Sequence, residues 1–128
     1  MNRSRRLAIL MIGLLSGWPA TAWSTSTLVC SGKTVDVMFH VGSDERGGDE
    51  IADASLFDAK GLVASVGAKG FISTRIDWPA VEPPFEKNEL SVRFEAPSIG
   101  MVVVQSKDVG GTIRVADHSE AAHCDWSR

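Results

Sequence analysis

The chain has 128 residues, of which 44% are hydrophobic and 23% charged, with 12 Gly, 5 Pro and no Tyr. This length accommodates one small domain and excludes a second domain or an array of several repeats. The ordinary composition excludes a collagen-like or low-complexity chain. We therefore expect a single folded domain.

The N-terminus has the three parts of a secretory signal peptide. A basic segment at residues 3–6 precedes an apolar run at 7–15, and small residues at 20–22 form a cleavage pattern. The apolar run is shorter than the ~20 residues that span a bilayer. We predict that residues 1–22 are removed, leaving 23–128 as one exported domain in the periplasm or outside the cell. The arginine pair leaves twin-arginine export open beside the general secretory route.

Cleavage would change the charge balance of the protein. It would remove three of the 13 basic residues and none of the 16 acidic ones, which leaves a net charge of −6. The remaining Lys and Arg residues are scattered singly, which is not the pattern of a nucleic-acid or anionic-membrane binder. We expect no nucleic-acid partner and no membrane span after cleavage, whereas a basic protein partner would be attracted.

Cys30 and Cys124 are the two cysteines of the chain. In an oxidising compartment such a pair forms a disulfide, so we predict one bridge between them. Closing so long a loop contributes about 4–5 kcal/mol in the chain-entropy model. The bridge also predicts that the two ends of the exported domain meet. A nucleophilic or metal-ligating cysteine would instead need a free thiolate.

Alternation of apolar and polar residues predicts strands with one buried face. In one of them Ile72, Ile76 and Trp78 are expected to face the core. A continuous apolar run also predicts a buried strand. The predicted strands fall at 35–41, 71–78, 90–95, 101–104 and 113–115.

Turn signals separate these strands at short intervals, and residues 58–61 fit a hairpin turn with its glycine at positive φ. The fold class we predict is all-β, a single antiparallel sandwich or small barrel of about six to eight strands closed by the disulfide. One alternative concerns residues 49–60, where Ile51, Ala54 and Phe57 have the spacing of a short amphipathic helix.

Two connections are candidates for partner binding. A proline-rich segment carries Trp78 and Phe85, and proline lowers the entropy cost of binding while large aromatics supply hot spots. The alternative is that Trp78 ends a strand and packs inward, with Phe85 covering the edge of the core. An acidic run at 42–53 lacks the ligand register of a calcium loop and is expected to be a solvated loop. Its candidate contact residues are Asp44, Glu45, Asp49 and Glu50.

The C-terminal segment suggests a metal site as a second hypothesis. A hairpin with its loop at 119–122 would place His118 opposite His123, with Asp125 on the same face. Two imidazoles and a carboxylate suffice for a divalent transition metal. The alternative is a pair of exposed, pH-responsive histidines, and no other cofactor is expected.

The sequence contains no Gly-x-Ser-x-Gly elbow, no phosphate-binding glycine loop and no His-Glu-x-x-His pair. We therefore expect a protein that is not an enzyme. A small hydrolase using paired carboxylates is the third hypothesis.

The layout resembles that of small periplasmic β-domain proteins of Gram-negative bacteria, including the MliC-type lysozyme inhibitors. The shared features are a signal peptide, a first cysteine that opens an alternating strand at 30–37, and a last cysteine in the short tail at 124–128. The resemblance implies a non-catalytic binding module of the envelope, of inhibitor or accessory type. The inhibitors' Ser-Gly loop has no match, because Ser31-Gly32-Lys33 directly follows the cysteine, and no binding residue is transferred.

Overall fold

The computed structural model describes residues 26–107 and 110–128 and shows an all-β protein. The predicted fold class is therefore confirmed, while the predicted signal peptide lies outside the described residues. A short 3₁₀ turn at Ala68–Gly70 separates two of the strands. The strands are β1 (Ser26–Gly32), β2 (Asp36–Ser43), β3 (Asp49–Asp58), β4 (Gly61–Gly67), β5 (Phe71–Asp77), β6 (Glu89–Ala96), β7 (Gly100–Lys107), β8 (Gly110–Val115) and β9 (His118–Asp125).

The strands form one sheet in the order β4-β3-β2-β1-β9-β8-β7-β6-β5, and every neighbouring pair is antiparallel. This alternation makes β4 and β5 run in the same direction, with only the 3₁₀ turn between them. Residues 61–77 thus act as one bent strand that pairs first with β3 and then with β6. Since β5 also approaches β3, and β4 approaches β6, the sheet curls into a nearly closed barrel.

The bent strand departs from the predicted pattern at Ile72, which is 55% exposed rather than buried. The pairing of β5 with β6 shifts register between Phe71 and Ser73, so Ile72 is an extra residue in a bulge. Phe71 therefore packs against the core together with Ile76. The prediction for Ile72 was wrong because a bulge reverses the in-and-out phase of a strand.

The helical alternative for residues 49–60 was also wrong, and another bulge explains its pattern. In the pairing of β2 with β3, His40 lies opposite Asp53 and Val41 opposite Ile51, which leaves Ala52 as the extra residue. Ile51 and Ala54 both face the core although they are three positions apart. A bulge thus reproduced helical spacing inside a strand.

The barrel closes where β1 meets β9. Cys30 and Cys124 are directly opposite each other in this pairing and form the predicted disulfide across 94 positions of sequence. Both side chains are buried in the single core inside the barrel. The largest fully buried side chains include Trp126, Phe39, Phe94, Leu28, Leu56, Leu90 and Ile113.

Because the chain runs up and down, its connections lie alternately at the two ends of the barrel. We call these two ends of the barrel the turn end and the loop end. Both termini of the described domain lie at the loop end, since β1 begins there and β9 finishes there. The turn end holds residues 33–35, 59–60, 97–99 and 116–117, and the loop end holds residues 44–48, 78–88 and 126–128.

A single carboxylate holds the first turn against the last strand. Glu120 Oε2 accepts hydrogen bonds from the Thr34 amide at 2.7 Å and the Val35 amide at 3.2 Å. Its Oε1 accepts one from the Thr34 hydroxyl at 2.6 Å and lies 2.9 Å from His118 Nε2. These bonds, led by that of the Thr34 hydroxyl, lower the Glu120 pKa from 4.5 to about 2. The carboxylate therefore links β1, β2 and β9.

Replacing Cys30 and Cys124 together with alanine should lower the free energy of unfolding by about 4–5 kcal/mol, since the unfolded chain regains the entropy of a long loop. Urea unfolding followed by tryptophan fluorescence measures this loss. A reductant should weaken the native protein and leave the variant unchanged. A loss of less than about 1 kcal/mol would contradict the account.

Glu120→Gln should lower the free energy of unfolding by about 1–3 kcal/mol at pH 7, because backbone donors lose a charged acceptor. The Glu120 pKa is lower in the folded protein, so its contribution is complete above pH 4.5 and disappears as the pH falls towards 2. Urea titrations across this range should show the difference from the native protein shrinking. Asp117→Asn is the control, because Asp117 is exposed in the turn between β8 and β9. If the stability difference between Glu120→Gln and the native protein did not change with pH, this role of Glu120 would be refuted.

Candidate functional site

Trp78 lies inside the loop end of the barrel. It is 3% exposed, and its Nε1 donates a hydrogen bond to the Trp126 carbonyl at 2.6 Å. The two indole rings pack edge to face at 5.7 Å, and the Arg128 guanidinium lies 4.4 Å from the Trp78 ring centroid. Phe85 is half-buried against the same core. Both rings thus adopt the inward-packing alternative, which leaves their side chains little area to offer a partner.

What protrudes is the segment that follows Trp78, residues 79–87, which we call the proline loop. Its base is held by Asn88, which is fully buried. The Asn88 Oδ1 accepts a hydrogen bond from the Ala80 amide at 3.1 Å, and its Nδ2 donates one to the Ala80 carbonyl at 3.0 Å. The Asn88 amide also donates to the Phe85 carbonyl at 3.2 Å. One buried side chain therefore fixes both ends of the loop.

The exposed part of the proline loop combines apolar and acidic groups. Val81 is 47% exposed, and Glu82 and Glu86 are exposed on either side of the Pro83-Pro84 pair. Pyrrolidine rings restrict the backbone here, so the loop loses little entropy when it is held by a partner. The loop is a preorganised projection rather than a flexible tether.

The neighbouring acidic loop, residues 44–50, is also ordered by its own hydrogen bonds. Asp44 Oδ1 accepts from the amides of Arg46 and Gly48, both at 2.8 Å, and the Asp44 amide donates to the Gly48 carbonyl at 2.8 Å. This carboxylate thus shapes the turn, as Asp does in many loops. Glu45 and Glu50 remain exposed around a groove of about 340 Å³.

Arg128 joins the two loops. Its Nη2 donates to Asp49 Oδ2 at 2.9 Å and to the Trp78 carbonyl at 2.6 Å, so the start of β3 is tied to the end of β5. Of the four acidic contact residues predicted from the sequence, Asp44 and Asp49 are therefore engaged within the molecule. The structure brings the other two to the same end as the proline loop, where Glu82 and Glu86 add to their charge.

The hairpin register predicted for the metal hypothesis is wrong. The β8–β9 turn lies at 116–117, with Val115 opposite His118, so His118 and His123 lie on one strand rather than opposite each other. Five positions apart, they face opposite sides of β9. Asp125 instead accepts hydrogen bonds from Ser127, whose hydroxyl is the main cause of its lowered pKa. Among residues 26–107 and 110–128, no group of three His, Cys, Asp or Glu side chains could hold a metal ion.

Three residues of this end were missed by the sequence analysis: Asn88, Arg128 and Val81. Asn88 has a recognisable signal, since it is a polar residue placed between a proline-rich loop and an alternating strand. Arg128 has no such signal, because its partners Asp49 and Trp78 are distant in sequence. Pairing across such separations depends on the closure of the barrel.

Comparisons with protein-family models, with curated proteins and with solved structures find no match. The resemblance to the MliC-type inhibitors stays an expectation. In the described part of the chain, no helix combines the length and the apolar character needed to cross a membrane.

Trp78→Ala should lower the free energy of unfolding by about 3–5 kcal/mol, because it leaves a cavity and removes the hydrogen bond from Trp78 to the Trp126 carbonyl. Val81→Ala, in the exposed proline loop, should change the free energy of unfolding by less than about 0.5 kcal/mol. Urea unfolding of both variants measures the difference. Equal stability of the two variants would show that the Trp78 side chain is not part of the core.

Proposed function

We propose that this protein is an exported, non-catalytic binding module that holds a basic protein partner at its loop end. The observation that carries the proposal is the convergence there of two preorganised loops with exposed acidic side chains. The contact residues we assign are Glu45, Glu50, Val81, Glu82 and Glu86.

Preorganisation supports a binding role for these loops. The proline loop is held at its base by Asn88, and the acidic loop is shaped by Asp44. Binding then costs little conformational entropy, so that more of the contact energy appears as affinity. A rigid projection of this kind suits insertion into a concave surface of a partner.

The chemistry of the surface indicates the kind of partner. Val81 supplies exposed apolar surface, and the four glutamates of the two loops bring negative charge to the same end of the barrel, with Arg46 and Lys87 in the same loops. An interface with an apolar centre and a charged rim is the usual arrangement, and the charge steers association. A partner with a basic rim around a cleft is complementary to it.

Within this proposal, the protein acts as an inhibitor or as an accessory protein. A rigid loop that enters the cleft of an enzyme blocks access to it, and the resemblance to the MliC-type inhibitors points the same way. The predicted signal peptide places the partner in the cell envelope or outside the cell. The metal-binding alternative has lost the hairpin geometry on which it rested.

The test is affinity capture followed by charge reversal. Residues 23–128 with the disulfide intact are immobilised, exposed to envelope extract at low salt, and the bound proteins are identified by mass spectrometry. One stoichiometric basic partner is expected. Glu45→Lys combined with Glu82→Lys should weaken its binding about tenfold or more, because like charges then face each other.

Asp117→Lys combined with Asp36→Lys is the matched control, since both aspartates are exposed and lie at the turn end. Binding by this variant should stay close to that of the native protein, and melting temperatures of all variants should agree. The proposal fails if the loop-end variant retains the partner, or if both variants lose it equally.

A further inference from the structure

A second surface lies on the outside of the barrel, along β7. The buried side chains of this strand are Val102, Val104 and Ser106, so the residues between them point outward. Two grooves follow each other along the outer face of β7, the first at Met101 and Val103 and the second at Gln105 and Lys107, and we call the two together the trench. The second groove also extends across β6 to Arg75 and Glu89. The floor consists of Met101, Val103, Gln105 and Lys107 in this order.

Two arginines flank the apolar part of the trench. Val103 pairs with Arg93 on one side and with Arg114 on the other, which places the two Cα atoms about 10 Å apart. Together with Met101 and Ala116 these residues line a groove of about 320 Å³. Arg114 is oriented by a hydrogen bond from its Nε to the Ala116 carbonyl at 3.2 Å, which uses none of its terminal nitrogens.

The middle of the trench is polar. Gln105 pairs with Ser91 on one side and Thr112 on the other, so two hydroxyls face an amide across the floor. This part belongs to a second groove of about 560 Å³, which extends to Lys107. Lys107 lies about 13 Å along the strand from Val103, at ~3.3 Å per residue. The trench therefore has cations at two positions with hydrogen-bonding groups between them.

Of the described acidic residues near the trench, none lines the groove between Arg93 and Arg114. Glu89 lies opposite Lys107 in the strand pairing, and its Oε1 forms a salt bridge with Arg75 Nη2 at 3.5 Å. Glu95 lies one step beyond Arg93 on β6, and Asp77 lies across from Glu89 on β5. Within the described residues, no salt bridge involves Arg93, Lys107 or Arg114. A basic strip on an acidic protein is a localised site of attraction for anions.

We infer that the trench along β7 binds a linear acidic oligosaccharide, with one anionic group between Arg93 and Arg114 and another at Lys107. Arginine forks suit carboxylates and sulfates, while Ser91, Gln105 and Thr112 suit sugar hydroxyls. The half-buried side chains of Met101 and Val103 in the floor suit the C–H face of a sugar ring. An acidic protein segment is the other polyanion in the cell envelope, but β7 is paired on both sides and offers no free strand edge to a peptide backbone, whereas the hydroxyl and amide groups favour a polyhydroxylated chain.

The experiment uses tetragalacturonate as the probe and maltotetraose as the neutral chain of the same length. Isothermal titration calorimetry of the disulfide-bonded protein at low salt should show saturable binding of the first and none of the second. Binding should weaken as salt rises, because the contacts are ionic. Arg93→Gln combined with Arg114→Gln should weaken it about tenfold or more, with an unchanged melting temperature.

Lys60→Gln combined with Lys69→Gln removes the same charge from exposed positions outside the trench, and this control should bind within about twofold of the native protein. Glu45→Lys with Glu82→Lys should also leave tetragalacturonate binding intact, which separates this site from the loop end. The inference would be overturned if maltotetraose bound as tightly as tetragalacturonate, or if tetragalacturonate did not bind at all. It would also be overturned if the trench variant and the lysine control lost the same amount of affinity. Tighter binding of a tetraglutamate peptide would overturn it in favour of an acidic protein ligand.

Discussion

The pairing of β1 with β9 is the constraint on which the rest of the molecule depends. These two strands come from opposite ends of the described domain, and without them the sheet would be two separate meanders. The Cys30–Cys124 disulfide joins the strands at a directly opposed pair of residues inside the barrel. Closure also brings Trp126 and Arg128 to the loop end, where they pack on and bind Trp78. The disulfide therefore supports the candidate binding end as well as the fold.

The opposite side of the barrel is closed less tightly. Residues 61–77 must complete the sheet alone, and they do so by bending at the 3₁₀ turn and changing partner strands. Most of their side chains are exposed, including Leu62 and Ile72. The core is therefore least well covered along residues 61–77. Neither proposed binding surface includes the 3₁₀ turn at which this strand bends, which suits sites that need fixed geometry.

Charge is distributed unevenly over this barrel. Acidic side chains are concentrated in the two loops of the loop end, whereas Arg93, Lys107 and Arg114, which form no salt bridge within the described residues, line the outer face along β7. The two surfaces would attract ligands of opposite charge. A single small domain can therefore hold a basic protein at one end while its side contacts an anionic chain, since the two sets of residues do not overlap.

The sequence by itself determined the all-β class, the disulfide, the hairpin turn at 58–61 and, to within a few residues, the positions of β2, β5, β6, β7 and β8, because two-residue periodicity and turn chemistry are local properties. It failed at Ile72, where one extra residue in a bulge reversed the period, and it missed the turn at 33–35 within the strand expected at 30–37. A second bulge gave Ile51 and Ala54 the spacing of the helical alternative. The tertiary structure decided the register of the last hairpin, and with it the separation of His118 from His123. It also decided which loops share an end, because contacts such as Arg128 with Asp49 arise from barrel closure between residues that no local pattern connects.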